Sequence, residues 1–156
     1  MGLSMEFYAG DANTIGEAFS EFEFDGIRDG TAALAYADLS LHLTPEDLDI
    51  LSKIVGELLG VAPLLLSLSL IEQVGTIEEG EGGGADVVDS AWVEMIASLD
   101  IGEAGEVTAR WIEAVSKAHE QQLDVTDAAI KAIGSLIQLC KTAIAEEADV
   151  IHAWYL

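Results

Sequence analysis

Residues 126–156, TDAAIKAIGSLIQLCKTAIAEEADVIHAWYL, decide the fold. Ile130, Ile133, Ile137, Cys140 and Ile144 recur at alternating spacings of three and four, which is one face of a helix. Leu136 and Leu139 widen that face, and Ala129, Ala132 and Ala143 keep its flank thin. A stripe this wide predicts a helix covered on more than one side. Asp124 or Thr126 is placed to cap its start, and Asp127 sets a negative charge beside the positive end of the dipole. After Asp149 the composition turns β-branched and aromatic through Val150, Ile151, His152, Ala153, Trp154, Tyr155 and Leu156. Apolar residues on both parities predict a central strand rather than an exposed edge.

Working outward, Met5–Ala9 reads as a first strand and Asp11–Ser20 as a short helix, with Thr14 and Glu17 at capping-box spacing. Glu21–Phe24 alternates acid and phenylalanine, which predicts a half-buried strand with Phe22 and Phe24 inward. DGIRDG, residues 25–30, is a turn cluster. Thr31–Leu43 predicts the second central strand, because Ala33, Ala35, Ala37, Leu39, Leu41 and Leu43 share one parity. The next helix is announced by Thr44 at its N-cap, Pro45 in its first turn and Gly60 at its end, with Leu48, Leu51, Val55 and Leu58 as its stripe. Residues 63–74, PLLLSLSLIEQV, alternate like a strand but are leucine-rich and bounded by Pro63 and Gly75, which favours a helix.

Residues 76–85, which include EEGEGGG, read as a mobile acidic loop. No Lys-Ser/Thr follows the glycines, so they make no phosphate cradle. Ala85–Val88 is a candidate short strand. Asp89 or Ser90 starts a helix carrying Trp92, Met95, Ile96 and Leu99, and Glu106–Gln121 forms another with Val107, Trp111 and Val115 on one face. The fold expected is a single α+β domain over residues 1–156. It has a small mixed sheet, about five to six helices, and a C-terminal helix leading into a C-terminal central strand.

Composition narrows the function. The chain holds 29 acidic and 6 basic residues, a formal charge of −23. Direct nucleic-acid binding is not expected, since a phosphate backbone demands cations that displace its counterions. A basic protein partner is the complementary expectation. Apolar runs fall short of the ~20 residues of a membrane span. The N-terminal MGLSMEFY lacks the basic and apolar regions of a secretory signal. With one cysteine, the expected setting is a reducing cytoplasm. No cofactor motif is present in the sequence, and a homodimer is compatible with it.

Candidate chemistry centres on Asp38, Ser40 and His42, which share one parity of a strand. Residues two apart on a strand stand ~6.5 Å from each other, too far for a nucleophile and its base, which work at ~2.6–3.2 Å. These three do not make a triad among themselves. Paired across a ladder with His152, His42 and Asp38 would instead supply a two-histidine, one-carboxylate metal set. His119 reads as a surface residue favouring a helix end, and Cys140 as a buried, inert thiol. Glu146 and Glu147 occupy the last turn of the long helix, where the dipole disfavours acids, and are candidates for contact with a partner. Three functions follow. The first is a non-catalytic binding module, such as an inhibitor or immunity-like protein for a basic partner. The second is a small hydrolase or metal-dependent enzyme built on Asp38, Ser40, His42 and His152. The third is a structural subunit without a ligand.

Overall fold

The computed structural model describes residues 3–41, 43–78, 80 and 82–156. In chain order these form β1 (Ser4–Gly10), α1 (Ala12–Ser20), α2 (Phe24–Arg28), β2 (Ala35–Asp38), α3 (Pro45–Leu59), β3 (Leu70–Ile77), β4 (Gly83–Val88), α4 (Ser90–Ala97), α5 (Ala104–His119), α6 (Asp127–Ala145) and β5 (Asp149–Tyr155). The sheet runs β2-β1-β5-β4-β3. β5 is therefore its middle strand, as its two-sided apolar pattern requires. Every pairing is antiparallel, so the expectation of a mixed sheet is corrected. The short β3–β4 hairpin permits nothing else there, and β5 runs against both its neighbours.

The sheet separates two apolar layers. Met5, Phe7, Ala9, Val150 and Val88 point to the larger one, with the buried stripes of α3, α4, α5 and α6. Tyr8, Ile151, Ala153, Ala85 and Val87 point to the smaller one, under α1 and α2. α6 is the buried helix that its wide stripe demands, touching β1, β2, α4 and α5. Ile133, Leu136, Ile137 and Leu139 are each 1% exposed. Among the described residues α6 alone is long and apolar enough to cross a membrane by composition, and here it is the core helix. Thr126 caps it, accepting from Ala129 N–H at 3.1 Å.

Helix α3 forms where its caps place it, with the Thr44–Asp47 capping box and Gly60 in the left-handed conformation at φ 67°. Trp92 Nε1–H donates to Ser52 Oγ at 3.0 Å and Trp111 Nε1–H to the Asp47 carbonyl at 2.7 Å, so both tryptophans tie helices to α3. On the other face, α1 crosses β3 at very short range. A Cβ on Gly16 would stand 2.2 Å from the Val74 carbonyl oxygen, so only glycine fits.

Several local expectations are corrected. Thr31–Leu43 is not a central strand: among its described residues only Ala35–Asp38 forms a strand, and β2 is an edge. Its partner β1 is spent at Met5, whose carbonyl takes the last bond from Leu39 N–H at 2.9 Å. Residues 63–74 are not a helix. One 3₁₀ turn, Leu66–Leu68, leads into β3, because Asp89 N–H bonds the Ser69 carbonyl and starts the β3–β4 hairpin. The strands of that hairpin also take up half of 76–85, since β3 runs to Ile77 and β4 begins at Gly83, while Glu79 and Glu81 lie outside the described residues. Glu21–Phe24 is a turn rather than a strand. Glu23 N–H closes α1 on the Ala18 carbonyl at 2.8 Å, and α2 starts at Phe24. The N-cap of α1 is Asp11, which accepts from Thr14, in place of the Thr14–Glu17 box.

Candidate functional site

Asp38 closes β2 and is exposed; its Oδ1 accepts from Ser40 N–H at 2.9 Å. Ser40 Oγ in turn accepts from Met5 N–H at 3.0 Å, extending the β1–β2 pairing past the ladder. Both residues are held in backbone contacts. His42 lies outside the described residues. His152 stands in the middle of β5 at 3% exposure, its ring 4.9 Å from that of Phe7. Neither ring nitrogen has a hydrogen-bond partner among the described residues. Burial pulls its pKa down to about 4, so the imidazole is neutral near pH 7.

Register decides which of these residues meet. Asp38 is paired with Glu6 and Glu6 with Ala153, whereas His152 is paired with Phe7. Asp38 and His152 therefore project from opposite faces of the sheet and two strands apart. The carboxylate facing His152 across the ladder is Asp86 of β4, whose pKa is raised by burial. Among the described residues no group of three or more His, Cys, Asp or Glu side chains is placed to hold a metal ion. Cys140 is a free, buried thiol whose pKa burial pushes up. His119 is not idle: its Nε2 meets Asp47 Oδ1 at 2.7 Å, linking the end of α5 to the first turn of α3.

A polar constellation of Glu6, Tyr8, Arg28 and Tyr155 lies on the α2 side and joins residues that local reading leaves apart. Glu6, 2% exposed, accepts from the Tyr8 hydroxyl and from Arg28 Nη2 at 2.5 Å. Arg28 also donates to the Tyr155 hydroxyl at 2.7 Å. Its guanidinium carbon sits 5.5 Å from the Phe24 ring centre and 6.0 Å from that of Tyr36. Burial first, and then the Glu6 carboxylate, push the Tyr8 phenol well above its ordinary pKa. Each polar group here engages another side chain, which is the pattern of a clamp holding α2 to the sheet. The available signal was Glu6 itself, an acid inside an otherwise apolar strand, with Arg28 the one cation in the first 50 residues.

Glu146 and Glu147 follow the end of α6 and are exposed. With Asp11 and Asp149 they border a cleft of about 370 Å³ at one end of the sheet, and no lysine or arginine lines it. Asp149 Oδ2 accepts from Ala12 N–H at 3.1 Å and Asp11 caps α1, so two of the four acids are also structural.

Comparison with known proteins returns no similarity: no family model matches the chain, and no curated protein or solved structure matches it.

Proposed function

We propose that this protein is a non-catalytic binding module whose acidic surface covers a basic partner protein, in the manner of an inhibitor or immunity protein. The observation that carries this reading is uncompensated surface charge. Among the described residues Glu6 and Asp47 are the only fully buried carboxylates and Asp86 is half-buried, so the other described acids of a chain with formal charge −23 lie at or near the surface. The few cations do little to offset it. Arg28 is bound to Glu6, Arg110 to Glu106 and Lys117 to Glu113, while Lys141 donates to the Ala97 carbonyl. Such a field speeds encounter with a basic surface and rejects acidic ones.

The test is capture at low and high salt, followed by titration of the purified captured protein. The expected partner is basic, and its association rate falls steeply as salt screens the field, whose reach is ~10 Å at 0.1 M. Binding that ignores salt, or no partner at any ionic strength, refutes the reading.

A further inference from the structure

The two edge strands of the sheet are not equivalent. On β3 the outward groups are covered by α1: Thr76 N–H donates to Ser20 Oγ at 3.1 Å, and Gly16 lies against the Val74 carbonyl. On β2 the outward groups have no hydrogen-bond partner among the described residues. Leu39 N–H bonds the Met5 carbonyl, and an antiparallel ladder alternates bonded and outward residues. Ala37 thus exchanges its backbone bonds with β1, and the N–H and C=O groups of Tyr36 and Asp38 turn away from the sheet. A groove runs beside this edge toward α6, in two stretches of about 560 and 520 Å³ that meet at Ser40 and Leu41. Asp38 and Lys131 line one stretch, Leu123 and Asp124 the other.

We infer that β2 is a docking edge for an extended basic segment of a partner protein, which pairs with Tyr36 and Asp38 and extends the sheet. The inference rests on the acidic-surface reading and specifies where and how the partner is held. Edge strands left open are templates for strand addition, in which main-chain bonds give affinity and alternate side chains give specificity. Charge selects the occupant. Asp38 and Asp124 outnumber Lys131 along the groove, so lysines or arginines on alternate positions of the added strand meet carboxylates. A second copy of the chain would instead set one −23 surface against another.

The test uses two synthetic peptides of equal length and charge, one alternating lysine with valine and one alternating lysine with proline. Proline cannot donate to a ladder. The valine peptide is expected to bind about tenfold tighter, the worth of one or two net hydrogen bonds. It is also expected to slow amide hydrogen exchange at Tyr36 and Asp38. Tyr36→Pro removes the outward N–H and should abolish the difference between the peptides, whereas Tyr36→Ala, which removes only the ring, should keep it. If Tyr36→Pro does not fold, exchange in the unmodified protein decides alone. Equal binding of both peptides without protection at Tyr36 and Asp38 overturns the docking edge and leaves the acidic-surface reading standing. No binding of either peptide at low salt overturns both. Protection at Tyr36 and Asp38 that rises with protein concentration, without peptide, overturns the basic occupant in favour of a second copy.

Discussion

Arg28 reaches from the last turn of α2 to the buried carboxylate of Glu6, Nη2 to Oε1 at 2.5 Å, and so fastens a five-residue helix to a strand inside the sheet. A helix this short has no stability of its own. Removing one partner leaves a charge without its counter-ion, which costs more than removing both. Arg28→Ala is expected to cost about 2–3 kcal/mol, below the ~3–5 kcal/mol of a fully enclosed pair because the guanidinium side chain is 33% exposed. Glu6→Gln combined with Arg28→Met keeps an acceptor for Tyr8 without a buried charge, and should recover more than half of that loss. Urea midpoints measure both. A double variant no more stable than Arg28→Ala would show that the pair is not what holds α2.

His152 makes stability depend on pH. Its pKa is about 4 in the folded chain against 6.5 for the free side chain. The folded protein excludes a proton that the unfolded chain accepts, so stability is full above pH 6.5 and is lost as pH falls from 6.5 toward 4. At 1.36 kcal/mol per unit the loss is about 3 kcal/mol. His152→Leu removes both unpartnered nitrogens. It should raise stability at pH 7 by about 1–2 kcal/mol and flatten the slope between pH 6.5 and 4. Denaturation curves at several pH values check this; an unchanged acid slope in the variant would mean that other groups carry it. Asp86, across the ladder with its pKa raised by burial, contributes in the opposite sense and remains in both proteins.

The residues differ in how much of this was legible. α6 and β5 are legible because a wide stripe of α6 and both faces of β5 are covered, and local periodicity then reports burial directly; only at the helix end does it fail, where Ile144 is 47% exposed. The parity of Thr31–Leu43 was also right in part: Ala33, Ala37, Leu39 and Leu43 are all buried. Its strand length was wrong, because pairing depends on a partner, and β1 supplies partners for β2 only across Glu6–Ala9. In residues 63–74 leucine propensity favours a helix, and the β4 partners that decide the matter lie 13 to 18 positions away. The Glu6–Arg28 contact spans 22 residues, and Arg28 sat in a stretch whose glycines and aspartates signalled only a turn. Long-range register also separated Asp38 from His152, a fact that no local pattern encodes.

The end of α6 yields the last prediction. Glu147 N–H bonds the Ile144 carbonyl and Ala148 N–H bonds the Ala143 carbonyl, which places Glu147 at the left-handed position of a helix-ending motif, with φ 53°. Glycine is favoured there because an L side chain is strained, and a carboxylate there also faces the negative end of the dipole. Neither Glu146 nor Glu147 makes an ion pair among the described residues. Removing charge alone, by Glu146→Gln with Glu147→Gln, should stabilise by about 0.3–1 kcal/mol. Glu147→Gly should stabilise by about 0.5–1 kcal/mol, since relief of strain exceeds the extra entropy of the unfolded chain. Thermal melts at low salt check both variants, and binding of the basic partner should be unchanged in each. A loss of stability or of binding in the double glutamine variant would mean that these acids are engaged, and would shift the contact surface from the β2 edge to the cleft they border.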